Sequence, residues 1–362
     1  MRAGLLSITV IALLSGSTCS LPWEGSRPSE LTLVSYNAHN LFDDIEDGGE
    51  YPEFSPESGK WNSGLYEKRL AATSAAISSF FPEGRGSPDI ICLQEVENGK
   101  VLKDLALGPL RKEGYRWMAV GGPETSAVKC GILSRYPIRA SRAHSLVDAW
   151  GFGPGRDMLE ATFELGTDGL SLTVFVCHWK ARREGEEATE PARRAASGLA
   201  AARLAELAAS DPSACFLVCG DFNESPDEFA RVGGLYPTAF MPGSEGLGDG
   251  QASQPEGPPA SWFEGTLRVT GLPGHASASD GEVTLYSPWF GAEGFSYVFG
   301  GEKQRLDGFL LGPTLVDGKG LEFSAFIASS DPALLDAGGK PDTWNGSSGF
   351  SDHLPIALRL SM

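Results

Sequence analysis
Polar residues recur at the ends of short apolar runs. Asn37 follows LTLVSY, Glu95 follows DIICLQ and His178 follows LTVFVC. Asp221 and Asn223 follow CFLVCG, Asp307 opens another apolar run, and Asp352 and His353 precede the last one. Strand ends are rigid mounts, so groups placed there hold a geometry better than groups on loops. The set contains three chemical kinds. Carboxylates beside an amide suit a hard cation such as magnesium, which prefers oxygen donors. Histidines move protons near neutral pH, and His178 and His353 are two of only five in the chain. Lys180, with Arg156, Arg182 and Arg183, carries the donors that phosphate oxygens take. Each piece alone reads as turn chemistry, since Gly-Asp-Phe-Asn shapes a turn as readily as it holds a base. Their joint occurrence in one order asks for a common explanation.

The runs themselves predict the elements that carry these groups. Residues 31–36 alternate and are rich in β-formers, a strand pattern. Short apolar strands are expected at 89–93, 130–134, 159–165, 172–176 and 216–219, with the last two at 306–311 and 354–360. Leu70, Ile77 and Phe80 among alanines predict a helix over 66–80, stopped by Pro82 and Gly84. A second, Ala-rich helix is expected from Thr189, as its cap, to about residue 209. Residues 241–260 are rich in Gly and Pro and read as a loop within an insertion over 241–300. Strands alternating with helices, and no composition break, predict one α/β domain over residues 30–362.

Composition narrows the function. The chain has 362 residues, 41% of them apolar, enough for a large core. It carries 29 Lys and Arg against 47 Asp and Glu, a net charge of −18. That excess excludes a protein that grips nucleic acid by a broad basic face, but not an enzyme that meets phosphate at one local site. Residues 1–19 have the parts of an export signal: Arg2, an apolar run from Leu5 to Leu14, then small residues. The run is shorter than the roughly 20 residues a membrane span needs. Cys19 after small residues is a candidate lipid attachment point, although Gly16 stands where such signals carry Leu. Periplasmic, cell-surface or secreted placement is therefore expected. Cys92, Cys130, Cys177, Cys215 and Cys219 lie in or beside strand-like runs and read as small core residues.

The motifs VSYNAHNLFDD, PDIICLQEVEN, LTVFVCHWKAR, CFLVCGDFNESPDE, QRLDGFLLG and GFSDHLPIALRL resemble the endonuclease/exonuclease/phosphatase superfamily. The resemblance spans nearly the whole of residues 30–362, and the flanks look most like exported bacterial members. It implies a four-layer α/β sandwich, two packed mixed β-sheets flanked by helices as in deoxyribonuclease I. It also implies roles. Glu95 would be the principal Mg2+ ligand (Mn2+ or Ca2+ as substitutes), with Asn37 and Asp352 beside the ion. Asp221 would orient or deprotonate water, and Asn223 would hold a phosphate oxygen. His353, polarised by Asp307, would contact the scissile phosphate, and His178 would act as acid or phosphate ligand. Arg156 and Lys180 would neutralise substrate charge.

Three departures from the family pattern bear on these roles. His39 replaces the acid that many relatives carry two residues after the first Asn. Val128-Lys129-Cys130 holds no glutamate to partner His178, and Gly308 replaces an aromatic or histidine. The expected activity is Mg2+-dependent hydrolysis of nucleic-acid phosphodiesters by a monomeric endonuclease, with Arg182, Arg183, Arg193 and Arg194 as a local basic patch. The alternatives are a sphingomyelinase-like or sugar-phosphate phosphatase activity, and an inactive surface binding module. For the lipid reading, Trp262-Phe263 and Trp289-Phe290 are the candidate exposed aromatics.

Overall fold
The computed structural model describes residues 28–81, 87–122, 126–146, 157–166, 169–243, 258–279 and 281–362, together with the backbone of residues 9–12. The strands run β1 (Thr9–Ala12), β2 (Glu30–Leu41), β3 (Ile90–Val96), β4 (Trp117–Gly121), β5 (Lys129–Ser134), β6 (Ile138–His144), β7 (Met158–Glu164), β8 (Ser171–His178) and β9 (Cys215–Asp221). They continue as β10 (Phe240–Pro242), β11 (Leu267–Thr270), β12 (Ser277–Ser279), β13 (Glu282–Tyr286), β14 (Tyr297–Phe299), β15 (Glu302–Gln304), β16 (Asp307–Leu311), β17 (Glu322–Ala328) and β18 (Ile356–Ser361). The helices are α1 (Ser63–Ser78), α2 (Gly99–Leu107), α3 (Glu186–Ser210) and the single turn α4 (Glu228–Arg231).

Sheet one has the order β1-β4-β5-β3-β2-β18-β17, and sheet two β10-β11-β13-β16-β9-β8-β7-β6, with β12 paired to β13. Side-chain alternation sorts each strand between two layers. On β2, Leu31 and Leu33 join Ile90, Cys92, Val174, Val176, Leu217 and Phe309 in the core between the sheets. Val34, Tyr36 and Ala38 face the other way, with residues of α1 and α2. In sheet two, Phe175, Cys177, Phe216 and Val218 turn outward under Ala196, Ala200 and Leu204 of α3. The result is helix, sheet, sheet, helix, the four-layer sandwich that the motifs imply. Both sheets are covered on both faces, so their central strands read as nearly continuous apolar runs.

Caps fix the helices on sheet one. The Asn62 side chain accepts the Leu65 N–H at 3.1 Å, and the Asn98 side chain accepts those of Lys100 and Val101. The second of these starts α2, a helix the apolar pattern alone does not predict. The Ala-rich helix begins at Glu186, three residues before its expected cap. Thr189 instead lies inside the first turn and bonds back to the Gly185 carbonyl at 2.7 Å. The 241–300 segment is only partly loop. It supplies β11 and β13 to sheet two, and residues 244–257, where Gly and Pro concentrate, lie outside the described residues. Of the expected export signal, only the backbone of residues 9–12 is described, paired antiparallel with β4. Cys19 lies outside the described residues. Among the described residues no helix is long and apolar enough to cross a membrane.

Topology assembles one rim. β2 and β3 are parallel, as are β8 and β9, so their C-terminal ends emerge together in each sheet. β18 runs antiparallel to β2, and β16 antiparallel to β9, so the starts of these two strands reach the same rim.

Candidate active site
At that rim the register is direct. His178 pairs with Asp221 across β8 and β9, and Asp221 with Asp307 across β9 and β16. The Asp221 carboxylate is the hub. Its Oδ2 accepts from the Asn37 amide at 3.0 Å and lies 3.5 Å from His178 Nε2 and 3.7 Å from His353 Nε2. Its Oδ1 accepts the Asn223 N–H at 2.8 Å. Glu95 stands beside it, with Oε1 3.4 Å from both Asn37 Nδ2 and His178 Nε2, while Oε2 accepts the Asn40 N–H at 2.9 Å. His353 Nδ1 meets Asp307 Oδ2 at 2.7 Å. Asp307 is held in turn by Ser296, whose hydroxyl accepts its N–H, and by Trp289, whose indole donates to its carbonyl. Asp352 lies at the open side, its Oδ1 3.9 Å from His39 Nδ1.

Thus Asn37, Glu95, His178, Asp221, Asp307 and His353 converge, with Asn223 and Asp352 at the margin. The Asn223 amide donates to the Trp179 carbonyl at 3.1 Å, so its nitrogen is committed to the scaffold. Arg156 lies outside the described residues. Lys180 stays on the surface, its ammonium 2.8 Å from Glu184 rather than on the cluster. The expected arginine patch does not form as a unit. Arg193 is fully buried among Glu190, Glu224 and Thr189, and Arg182 is bound to Glu228, Glu186 and the Asn223 carbonyl. These guanidiniums are consumed inside the fold because buried carboxylates need them. Arg194 donates to the Trp262 carbonyl, which leaves Arg183 as the exposed member of the patch. Of the candidate exposed aromatics, Trp289 is buried and Trp262 and Phe263 are half-buried; Phe290 alone is exposed.

Backbone strain concentrates here. His39, Asn40, Glu95 and Asn223 all have positive φ, between 50° and 60°, and they are the only non-glycine residues that do so among those described. Such conformations cost about 1–3 kcal/mol each and persist where surroundings fix them. Gly220, at φ 137°, lets β9 pass the Cys177 carbonyl, which a Cβ would meet at 1.9 Å. Arg69, absent from the sequence-based site, props the rim from below. Buried in α1, it donates to the carbonyls of Ala38, His39 and Phe350 and stacks on Trp344. It sits on the inward stripe of α1 with Tyr66, Leu70 and Thr73, a placement that periodicity could have flagged. Ser351 ties the two sides of the rim, donating to the Asn37 carbonyl and accepting the His353 N–H. Tyr297 lies over the His353 imidazole, ring centroids 4.6 Å apart.

Electrostatics set the protons. Burial pushes the Asp221 carboxyl up to about 7, with Asp307 adding to the rise against the pull of His353, the Asn223 N–H and the Asn37 amide. Burial alone would lower His353, but Asp307 and Asp221 outweigh it and hold the imidazole well above the ordinary histidine value. His353 is therefore a cation near neutrality, and Asp221 a carboxyl poised there.

The donor set also tests a metal. Asp221, Asp307 and His353 bring ligand atoms within 4.8 Å of one another, but all three are buried and the His353–Asp307 hydrogen bond occupies the pair. A cation there would have to displace the proton that Asp307 and Asp221 hold on His353. Glu95 and Asp352 offer carboxylates that keep 14% and 31% of their side-chain surface open, and the Asn37 amide lies 3.4 Å from Glu95. An oxygen-donor set open to solvent fits a divalent ion that keeps part of its water shell.

The sequence profile of the endonuclease/exonuclease/phosphatase family matches residues 32–239, more than half of the chain. The chain belongs to this family. Members are phosphoester hydrolases that depend on a divalent metal. The match includes Asn37, Glu95, His178, Asp221 and Asn223, and the fold adds Asp307, Asp352 and His353 from beyond it. Among solved structures, truncated Caenorhabditis elegans TDP2 aligns with a TM-score of 0.51 at 16% identity, covering 92% of this chain and 98% of that one. D. rerio TDP2 complexed with a single-strand DNA product gives 0.52 at 14% identity, covering 92% and 100%. A family member from Bacteroides thetaiotaomicron gives 0.51 at 14% identity, covering 93% and 96%. At these identities the likeness shows the shared fold. No curated protein sequence matches the chain significantly.

Proposed function
We propose that the chain is an exported, magnesium-dependent endonuclease that hydrolyses nucleic-acid phosphodiesters. The single observation that carries the chemistry is the hub at Asp221, with Asn37, His178 and His353 within 3.7 Å of its Oδ2. Glu95 and Asp352 would hold the Mg2+, with Asn37 beside it. When bound, the ion offsets negative charge on the phosphate and its leaving oxygen. Asp221, poised near neutrality, takes the proton of the attacking water. Protonated His353, aligned by Asp307, donates to a non-bridging phosphate oxygen as charge builds there. His178 is the proton source for the departing oxygen. The new P–O bond to water forms as the bond to the leaving oxygen breaks, and the proton that Asp221 took from water then replaces the one His178 gave up, across the 3.5 Å between them.

Support for a nucleic-acid substrate is local. Tyr297 overlies His353, and Phe299 in the same strand is 68% exposed. Aromatic faces beside a scissile phosphate accept unstacked bases. The D. rerio TDP2 complex, with its single-strand DNA product, is consistent with this reading. Residues 1–19 support export, with Cys19 as a candidate anchor. A second reading, a sugar-phosphate phosphatase, is favoured by the commitment of Arg182 and Arg193 to internal ion pairs in a chain of net charge −18. A small phosphomonoester needs fewer cations than a polyanion does.

The test is hydrolysis of supercoiled plasmid, single-stranded oligonucleotide, sugar phosphates and sphingomyelin by residues 20–362, with Mg2+, with EDTA, and with Glu95→Gln as control. Cleavage of either nucleic acid that needs both Mg2+ and Glu95 supports the proposal. Hydrolysis of sugar phosphate or sphingomyelin alone overturns the substrate assignment, and activity that survives EDTA overturns the metal.

A further inference from the structure
Past Glu95 the chain carries a second carboxylate, Glu97, that the catalytic geometry does not use. Only 4% of Glu97 is exposed. Its Oε2 accepts the Asp43 N–H at 2.7 Å, but its Oε1, equally buried, has no hydrogen-bond partner among the described residues. A buried carboxylate oxygen without a donor is costly unless something else meets it. What surrounds it is acidic. Asp47, Glu50 and Glu97 bring one oxygen each within 4.8 Å of one another, and the group opens to solvent through Asp47 and Glu50.

The nearby charged groups have other described partners. Asp43, buried beside it, has its own oxygens engaged by the Ile45 N–H and the Asn98 amide. Lys100 is paired with Asp44 and Asp104. Lys129 donates to the backbone carbonyls of Glu97 and Ser126. The loop is already shaped: Glu50 accepts the N–H groups of Asp47 and Gly48, and an aromatic stack of Phe42, Phe54 and Trp61 lies below.

We propose that Asp47, Glu50 and Glu97 form a second divalent-cation site, distinct from the catalytic one and suited to calcium. Several carboxylates on a glycine-containing loop give the all-oxygen, irregular coordination that calcium accepts and magnesium disfavours. The cation satisfies the orphan Glu97 oxygen and fixes the 43–50 loop against the start of α2. It also braces the catalytic rim. Two hydrogen bonds, Asp43 N–H to Glu97 and Glu97 N–H to the Leu41 carbonyl, adjoin the Asn40 N–H bond to Glu95.

The test uses the full mature chain with Glu95→Gln and Asp352→Asn, so that the catalytic carboxylates cannot contribute. Ca2+ is titrated by calorimetry, and Tb3+ by luminescence sensitised through Trp61, whose indole donates to the Asp43 carbonyl. The expected result is one Ca2+ per chain, Tb3+ emission displaced by Ca2+, and a rise in Tm with Ca2+. Adding Glu97→Gln should weaken Ca2+ by about tenfold or more. Because Glu97 is buried, Asp47→Asn with Glu50→Gln, at the surface, provides the same test without a core change. Absence of Ca2+ binding in the catalytic-site variant, or unchanged affinity after loss of Asp47 and Glu50, overturns the proposal. Neither outcome touches the catalytic assignment, which is read by hydrolysis in Mg2+.

Discussion

Two carboxylate groups lie on neighbouring stretches of backbone and solve the same electrostatic problem differently. Around Asp221, the acids are buried with two imidazoles and an amide. A proton on His353 offsets their charge, and Asp221 itself titrates near neutrality. Around Glu97, the acids face a solvent-open loop with no histidine in the group and one buried oxygen unmet. The first group adjusts by moving protons, the property a hydrolase needs. The second has no imidazole to share a proton with: burial and the acids around it push the Glu97 carboxyl itself up to about 8, and the proposed cation would take the place of that proton. Acidic residues alone therefore say little; the partners within hydrogen-bond reach decide whether a cluster does chemistry or holds structure.

The sharpest way to break this comparison is at Glu95. Glu95→Gln should lower kcat by about 10³-fold while the far-UV spectrum and Tm stay near wild type. Loss of folding instead would make Glu95 a structural residue like its neighbour.

Asp307→Asn should cost about 10²-fold in kcat. It should also move the alkaline limb of the rate profile to lower pH. Asp307 helps hold His353 well above its ordinary value, so without it the imidazole loses its proton earlier as pH rises. The stability that protonated His353 contributes is present below the ordinary histidine value and disappears as pH rises through the raised one. An unshifted limb would remove His353 from the proton inventory.

Asp221 gives the converse stability signature in metal-free protein. Its folded-state value is raised, so the neutral acid is favoured and folding gains below the ordinary aspartate value. That gain is lost as pH rises through about 7. Asp221→Asn should therefore raise stability in EDTA at pH 8.5 by roughly 1–3 kcal/mol, and by nothing near pH 4. Thermal melts across that range check it.

Asp47→Asn should raise Tm in EDTA by about 1 °C, by relieving like-charge repulsion, and should remove any Tm response to Ca2+. Least of all should change at Lys180. Its surface pairing with Glu184 predicts a KM within about twofold of wild type for Lys180→Ala. A larger effect would return it to the substrate.

Most of the candidate site residues were legible because buried central strands read as apolar runs, and a polar residue at either end of such a run is conspicuous. Asn37, Glu95, His178, Asp221 and His353 all stand out this way. What the runs cannot show is pairing. Arg182 and Arg193 look like substrate ligands until Glu228 and Glu224 are found against them. Helix α2 escaped notice because it has only nine residues, although Asn98 followed by Val101, Leu102 and Leu105 carries both a cap and an inward stripe. β10 to β13 are three to five residues long, too short for periodicity to speak among glycines and prolines. Arg69 and Tyr297 act from a helix face and a hairpin, and neither closes a strand.

Sheet one has one further consequence, in the order of events during synthesis. β2 lies between β3 and β18, and β17 joins the sheet only through β18. The strand that carries Asn37 thus has one edge unpaired until residues 356–361 have been made. Its partners on that side are more than three hundred residues away, so the sheet closes late and by long-range contact. A nascent chain of this design stays open for most of its translation. For the exported protein proposed above, which would thread a translocation channel before folding, that delay would be useful, and truncation within β18 should leave β17 without a place to dock.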